Sequence, residues 1–174
     1  MIETLAATVE RTGTTLLGPM PLPTAGPAIA ARTDGAVAIP IGDPLVDDSG
    51  LLDALGSRAL LPDAPDWRAQ ISHATAGVTG SLLAAADTGS VAVAAGPGRP
   101  RALPLIPPHH WCLVDVATIE PTFADAFVRV AATPDALPSD LIWISGPSRT
   151  GDLEMVTTVG IHGPLAVTFV LIER

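Results

Sequence analysis

The sequence predicts an α/β protein built on a largely parallel sheet. Segments with strand character alternate with segments that have helical period, and this alternation is typical of layered α/β folds. Short apolar strands such as residues 141–144 suit a sheet that is covered on both faces. The length of 174 residues fits one domain, because two smaller domains would each have a marginal core.

The first 74 residues contain few regular signals. Leu5 and Val9 are four residues apart, which predicts an amphipathic helix over residues 1–12 that Gly13 ends. The prolines of residues 18–23 exclude a helix interior and a central strand, so a loop or extended connector is expected there. Further expected elements are a strand at 36–41, a helix at 51–55 capped by Ser49 and ended near Gly56, and a helix at 66–73.

From residue 75 onward the alternation is more regular. A short strand is expected to end near Val78, and Thr79 is expected to cap a helix over residues 81–86. The other expected elements are strands at 90–95, 111–116, 141–145 and 165–172 and a helix from Pro121 to Ala132. The segments 18–27 and 96–108 are rich in proline and glycine and are expected to be irregular.

The charge of the chain limits its partners. Asp and Glu number 18, Lys and Arg number 9, and all nine basic residues are arginines. A surface with a pI near 4.6 repels phosphate backbones and anionic lipids, so neither nucleic acid nor a membrane surface is expected as a partner. Without lysine, Schiff-base chemistry and a Walker-type phosphate loop are excluded, and an anionic ligand needs Arg, hydroxyl or backbone N–H donors.

The single cysteine, Cys112, cannot form an internal disulfide, an iron–sulfur cluster site or a cysteine-based zinc site. Four histidines could form a metal site only through tertiary contact, because the adjacent His109 and His110 point in different directions on an extended chain. We expect no metal and no cofactor. The N-terminus does not have the pattern of a signal peptide, and no apolar stretch is long enough for a membrane helix, so a cytoplasmic protein is expected.

The most informative motif is residues 144–154. It follows an apolar strand directly, so its polar groups are expected at the carboxyl edge of the sheet, where ligands bind in open α/β folds. Gly146 permits close approach of the backbone, and Ser148 and Thr150 offer hydroxyls. Arg149 can pair bidentately with a carboxylate or a phosphate. A helix beginning after this loop would add free N–H groups to an anion site.

A second interpretation of this motif is structural, and the residues alone leave it open. Ser148 would cap a helix, and Arg149 would pair at the surface with Asp152 or Glu154. Runs of small and polar residues of this kind are common in loops.

Two further segments carry candidate groups. His162 lies between glycine-containing turns before an apolar strand and can transfer a proton near neutral pH, although such histidines more often bond a backbone carbonyl in a turn. The second segment is a corner before a strand, and it consists of Asp87, Thr88, Gly89 and Ser90. This corner is either a second wall of a site or a sharp turn whose side chains bond their own backbone.

Five segments occur together in a familiar order. They are Gly-Val-Thr-Gly at 77–80, Ala-Asp-Thr-Gly-Ser at 86–90, Leu-Ile-Pro-Pro-His at 105–109, the motif from Ser145 to Glu154, and Gly-Ile-His-Gly-Pro at 160–164. In this order they resemble the LUD-domain family, the LutC/YkgG-type lactate utilization proteins formerly called DUF162. The resemblance covers residues 75–174, and residues 1–74 match only weakly, so a single LUD-like domain over residues 1–174 is expected.

This resemblance implies a NagB/RpiA/CoA-transferase-like fold, a three-layer α/β/α sandwich. It also implies a cluster-free component that takes part in oxidising L-lactate to pyruvate beside iron–sulfur partner subunits. The chain departs from the family pattern at three positions. Asp87 replaces a Glu, which shortens the reach of the carboxylate, Ser90 replaces a Thr, and Gly151 replaces an Ala.

The leading hypothesis places a small carboxylate or phosphate on Arg149. The expected ligand-binding residues are Thr88, Gly89, Ser90, Gly146, Ser148, Arg149 and Thr150, and candidates for a catalytic role, which is not assigned, are His162, Asp152 and Asp87. Two alternatives belong to other classes. One is a non-catalytic module that docks an iron–sulfur protein, and the other is a stand-alone isomerase or ligase acting on a phosphorylated small molecule.

Overall fold

The computed structural model describes residues 1–132, 138–151, 157–159 and 162–174. The helices are α1 Ile2–Thr12, α2 Leu22–Ala30, α3 Pro44–Asp47, α4 Leu51–Leu55, α5 Trp67–Gln70 and α6 Phe123–Ala131. The strands are β1 Thr15–Pro21, β2 Val37–Ala38, β3 Ala59–Leu60, β4 Ala76–Gly80, β5 Leu83–Ala85, β6 Ser90–Ala95, β7 His109–Asp115, β8 Ile119–Glu120, β9 Asp140–Ile144, β10 Arg149–Gly151, β11 Thr157–Val159 and β12 Ala166–Glu173.

A six-stranded sheet in the order β1-β12-β7-β4-β2-β3 forms the centre of the fold, and all of its strand pairs are parallel. The prediction of an α/β fold with a largely parallel sheet is therefore confirmed. Its middle strands are buried on both faces, because alternate side chains of β7 enter different cores. Trp111 and Leu113 face one core, and Cys112 and Val114 face the other.

Helices cover the first face of this sheet. Leu22 and Ile29 of α2 and Leu51 of α4 are buried there against Leu113 and Val170. Both helices are short, and α2 carries two prolines and a glycine, so burial of apolar surface stabilises them more than helix propensity does.

The second face is covered by α1 together with another sheet. Leu5 and Val9 of α1 pack with Val91 and Val93 of β6 against Phe169 of β12. β6 belongs to a four-stranded sheet in the order β8-β5-β6-β9, and α6 packs on the outer side of that sheet through Ala126. This additional sheet is a feature that the alternation of strands and helices did not predict.

The proline-rich segment 18–27 is regular, so the prediction of an irregular connector was wrong. Residues Thr15–Pro21 form β1 at the edge of the sheet, where a missing N–H costs no ladder bond. The helix α2 follows at once with Pro23 in its first turn, a position that tolerates proline. The exclusion of a central strand was correct.

The helix expected over residues 81–86 is also absent, since Leu83–Ala85 form the strand β5. This short run of Leu and Ala suits a helix or a buried strand, and its tertiary setting decides the outcome. β5 is fully buried and pairs with β6 on one side and β8 on the other. The hydroxyl of Thr79 does not cap a helix but lies 2.9 Å from Nε2 of His110.

The residues directly after Ser148 do not form a helix. The next residues, Arg149–Gly151, form β10 and pair antiparallel with β11. The condition for extra N–H donors, a helix that begins directly after this loop, is therefore not met at residues 149–151, and residues 152–156 lie outside the described residues. In the described ranges, no helix is long and apolar enough to cross a membrane.

Candidate functional site

The carboxyl end of α1 is the meeting point of several predicted site segments. The helix ends at Gly13, whose φ of 78° requires a left-handed backbone. Thr12 donates a hydrogen bond through its hydroxyl to the carbonyl of Val9 at 2.8 Å, and the hydroxyls of Thr12 and Thr14 are 3.0 Å apart. Because these residues precede β1, they lie at the amino edge of the parallel sheet.

The loop after β9 packs against this helix end. Gly146 has a φ of 138°, and a Cβ at this position would lie 3.1 Å from Oγ1 of Thr14 and 3.2 Å from the carbonyl oxygen of Thr12. A side chain would therefore strain both the backbone and the contact. The expectation that this loop emerges at the carboxyl edge of the parallel sheet was wrong, because β9 belongs to the second sheet and delivers the loop to the opposite edge.

Arg149, which lies in this loop, already has a structural partner at the end of α1. Its Nη2 donates to the carbonyl oxygen of Thr12 at 2.7 Å, and the guanidinium lies against Gly13. A cation at the carboxyl end of a helix is favoured by the helix dipole and by the unpaired carbonyls. Arg149 is exposed, so its remaining N–H groups can reach a ligand. Asp152, the predicted surface partner, lies outside the described residues.

The corner before β6 lies against the same helix. Gly89 has a φ of 64° and packs against the side chains of Thr8 and Val9. Ser90 is buried, and its hydroxyl lies 2.6 Å from the hydroxyl of Ser145, which ties the corner to the loop after β9.

Asp87 and Thr88 in this corner are exposed. Oδ1 of Asp87 accepts a hydrogen bond at 2.9 Å from the backbone N–H of Phe123, the first residue of α6. The carboxylate therefore helps to satisfy the free N–H groups at the start of that helix.

The segment around His162 also packs against the loop after β9. The backbone N–H of Ser148 donates to the carbonyl oxygen of Pro164 at 3.0 Å, and Gly163 is in close contact with the side chain of Ser148. His162 is exposed. The side chain of Thr150 lies outside the part that the structure describes. We call residues 12–14, 87–90, 145–149 and 162–164 the motif cluster.

A second candidate site lies at the opposite edge, and sequence reasoning missed it. Gly80 ends β4, Asp115 ends β7, and Arg174 follows β12, so this is the carboxyl edge of the parallel sheet. These residues, together with Asp43, Ser81 and Arg99, line a cleft of about 240 Å³, which we call the carboxyl-edge cleft.

Asp43 is a fixed part of the cleft wall. It is 7% exposed, and its carboxylate accepts hydrogen bonds from the backbone N–H groups of Leu45 at 3.1 Å, Val46 at 3.4 Å and Gly80 at 2.9 Å. A Cβ on Gly80 would overlap with this carboxylate, so glycine is needed there.

Asp115 is also engaged. Its Oδ1 accepts from the N–H of Ala117 at 2.9 Å, and its Oδ2 lies 3.4 Å from Nε of Arg174.

The cleft also carries donors that lack partners. The hydroxyl of Ser81 is buried, and in the described residues it has no hydrogen-bond partner. The half-buried guanidinium of Arg99 likewise has no side-chain or backbone partner among those residues. Buried polar groups are nearly always hydrogen-bonded in native proteins, so an unpaired hydroxyl beside a cleft indicates a place for a ligand or for water.

Between the two edges, β7 carries two histidines and the only cysteine of the sequence. Burial, together with the neighbouring His109, lowers the pKa of His110 to about 3, and burial raises the pKa of the Cys112 thiol to about 12. Both groups are therefore neutral near pH 7. His109 stacks on Trp111 and bonds Thr168 across the sheet at 2.9 Å. Within the described ranges, no three His, Cys, Asp or Glu side chains are grouped so as to hold a metal ion.

These features define a class: an α/β protein with a six-stranded parallel sheet, whose glycine- and hydroxyl-rich motifs meet at the carboxyl end of the first helix. The family model of the LUD domain matches residues 53–172. The chain therefore belongs to the LUD-domain family, as its motifs predicted.

Individual relatives agree with this assignment. A lactate utilization protein C from Deinococcus radiodurans is 32% identical over 151 residues, which cover 82% of this chain and 70% of that protein. A lactate utilization protein C from Halalkalibacterium halodurans is 31% identical over 104 residues, 58% of this chain and 45% of that one. An uncharacterized protein from Neisseria meningitidis serogroup B is 32% identical over 99 residues, 56% of this chain and 42% of that one. The chain thus spans less than half of the length of the last two relatives.

The crystal structure of a DUF162 family protein from Deinococcus radiodurans is similar to this structure. It has a TM-score of 0.71 and 23% sequence identity, and the match covers 98% of this chain and 95% of that one. At this identity the likeness shows the fold, and it extends over residues 1–52, which the family model does not match.

Proposed function

We propose that this chain acts in lactate utilization as a cluster-free component that works beside iron–sulfur partner subunits. The observation that carries the proposal is the 32% identity to a lactate utilization protein C over 82% of this chain. The motifs that suggested the same family from sequence meet around one helix end in the structure, which supports a shared functional surface.

The partner subunits are needed for the electrons. Oxidation of L-lactate to pyruvate releases two protons and two electrons, as follows from the formulas of the two acids. This chain has one cysteine, which is fully buried and has a raised pKa, so the chain does not supply the thiolates of an iron–sulfur cluster. In the proposal the electrons pass to a cluster on a partner chain.

The motif cluster is the proposed surface for a small carboxylate. The free N–H groups of Arg149 would pair with the carboxylate, and the exposed Thr88 and His162 lie in the segments grouped around the same helix end. Ser148 and the backbone of Gly146 would line the same surface. No catalytic role is assigned to His162, Asp87 or Asp152.

A growth experiment tests the pathway. Deletion of the gene from its native host is expected to abolish growth on L-lactate as the sole carbon source and to leave growth on pyruvate unchanged. Reintroduction of the gene restores growth. Normal growth of the deletion strain on L-lactate would contradict the proposal.

Calorimetry tests the motif cluster separately. The Arg149→Ala variant is expected to weaken the binding of L-lactate or pyruvate to this cluster at least fivefold, because the bidentate partner is removed. Arg32→Ala is the matched control, since exposed Arg32 also donates to a carbonyl oxygen at a helix end, that of Ala28 at 2.9 Å. Equal titration curves for the two variants and the wild type would rule out Arg149 as the anchor.

Affinity capture from cells grown on lactate tests the partners. The tagged full chain is expected to retain a protein that contains iron and acid-labile sulfide, and cells grown without lactate serve as the control. Capture of such a protein without any binding of lactate or pyruvate would favour a non-catalytic docking module. Absence of iron and sulfide in the captured material would contradict the proposed partners.

A further inference from the structure

The carboxyl-edge cleft lies apart from the motif cluster. It is built from the ends of β4, β7 and β12, whereas the motif cluster surrounds residues that precede β1 and β12 at the other end of the same parallel strands. Ligands bind in parallel sheets at the carboxyl ends of the strands. The cleft is therefore at the edge where the fold itself favours a site.

The acceptors of the cleft are already engaged. The carboxylate of Asp43 accepts hydrogen bonds from three backbone N–H groups, and that of Asp115 accepts one from a backbone N–H and forms an ion pair with Arg174. A carboxylate has about four lone-pair sites, so Asp43 has little capacity left for a cation or for a ligand donor, and each oxygen of Asp115 already faces one donor.

Two donors of the cleft, the side chains of Ser81 and Arg99, are not engaged. Ser81 is 8% exposed, and its hydroxyl has no hydrogen-bond partner in the part of the chain that the structure describes. Arg99 has no partner for its guanidinium in that part of the chain, and Arg174 at the rim makes one contact, with Asp115. A site with free donors and occupied acceptors is complementary to an anion.

The volume and the lining residues of the cleft indicate which class of anion it can bind. Its volume of about 240 Å³ suits a metabolite of a few carbon atoms. The apolar side chains of Leu45, Leu82 and Ala94 form part of its lining, and they would contact a short hydrocarbon group. Inorganic phosphate has no such group.

We propose that the carboxyl-edge cleft binds a small organic carboxylate, whose oxygens pair with Arg99 and accept a hydrogen bond from Ser81. This site is separate from the motif cluster and does not depend on the proposed function. In this proposal the guanidinium of Arg99 supplies the charge for a bidentate pair, and the hydroxyl of Ser81 gains the partner that it lacks.

Calorimetric titration of the full chain with L-lactate, pyruvate and inorganic phosphate tests the site. Arg99→Gln is expected to weaken carboxylate binding at the carboxyl-edge cleft by at least tenfold. Arg101→Gln is the control, because Arg101 carries the same charge two residues away and pairs at the surface with Asp140 at 3.2 Å. The Arg99→Lys variant is expected to bind with intermediate affinity.

Four outcomes would overturn the proposal: no binding of either carboxylate to the wild type at millimolar concentration, wild-type affinity in Arg99→Gln, an equal loss in Arg101→Gln, or binding of phosphate alone. Loss of all carboxylate binding in Arg149→Ala with none in Arg99→Gln would overturn this site and support the motif cluster. The reverse result would support this site and contradict the ligand role of Arg149.

Ser81→Ala provides a second test with a different readout. Removal of an unpartnered hydroxyl is expected to leave the midpoint of urea unfolding unchanged or slightly higher in the absence of ligand, while carboxylate affinity falls at least threefold. A lower midpoint without ligand would show that the hydroxyl already has a partner. An unchanged affinity would exclude Ser81 from the site.

Discussion

The motif cluster and the carboxyl-edge cleft use their polar residues in different ways. In the motif cluster, Arg149 bonds the end of α1, Asp87 bonds the start of α6, and Ser90 bonds Ser145. In the cleft, the side chains of Ser81 and Arg99 have no hydrogen-bond partner in the described parts of the chain. Recognisable motifs thus locate the place where distant segments meet, whereas the unpaired hydroxyl of Ser81 lies beside a cleft that has room for a ligand.

The largest effect is expected at Asp43, on which the anion preference of the cleft depends. Asp43→Ala leaves three N–H groups without their acceptor, two of them at the start of α3, and should reduce the free energy of unfolding by about 3–5 kcal/mol. Urea unfolding measures this loss, and Asp48→Ala at an exposed neighbouring position is the control. A loss as small as that of the control would mean that the carboxylate is free to bind cations.

A pH effect is expected from β7, the strand that joins the two regions. His110 has a pKa of about 3 in the folded chain, against an ordinary value of 6.5, because it is buried beside His109. Between these values the unfolded chain binds a proton that the folded chain does not bind, so stability is lost as the pH falls below 6.5. From pH 7 to pH 4.5 this loss amounts to roughly 2–3 kcal/mol.

The variant His110→Asn should reduce this pH-dependent loss by most of that amount. Urea unfolding at pH 7 and pH 4.5 measures it, with His73→Asn at an exposed position as the control for loss of one imidazole. An unchanged difference between the two pH values in His110→Asn would mean that the acid sensitivity arises elsewhere.

A smaller loss is expected at Gly146, where the motif cluster is most closely packed. Gly146→Ala forces a side chain into a φ of 138° and against Thr12 and Thr14, and should cost about 2 kcal/mol. Gly42→Ala is the matched control, because Gly42 also has a positive φ, of 73°, but has open space around it. If both variants lost the same stability, the loop after β9 would not be held against α1.

The smallest loss of stability is expected at Asp87. It distinguishes a structural role of this residue from a catalytic one. Asp87→Ala should cost about 1 kcal/mol by removing the acceptor for the N–H of Phe123, and Asp87→Asn should cost almost nothing because the amide oxygen can still accept. Thermal unfolding measures both. A loss of lactate binding in Asp87→Asn at unchanged stability would assign the carboxylate to the ligand.

Local signals in the sequence predicted the local structure well. Gly13 ends α1 in the left-handed conformation, and β6 runs over Ser90–Ala95 as the strand character of this segment predicts. The prediction failed where tertiary pairing decides the outcome. The segment Leu83–Ala85 became a strand because β6 and β8 pair with it, and the alanine-rich sequence does not contain this information.

The location of the sites required knowledge of which sheet each strand joins. The sequence predicts the loop after β9 at the carboxyl edge only if β9 is a strand of the parallel sheet, but β9 belongs to the second sheet. The cleft was missed because its residues are single polar positions far apart in sequence. Asp43, Ser81 and Asp115 each end or follow a short apolar strand, which is where parallel sheets bind ligands, but the sequence pattern around Ser81 predicts a helix.

An amide NMR titration of the wild-type chain with pyruvate tests the central claim, that free donors mark a ligand site at the carboxyl edge. We expect saturable shifts at Gly80, Ser81 and Arg99, with a saturation curve separate from that of any shifts at Gly13, Gly146 and Arg149. Shifts confined to the second group, or no saturable shift at Gly80, Ser81 and Arg99, would contradict the claim.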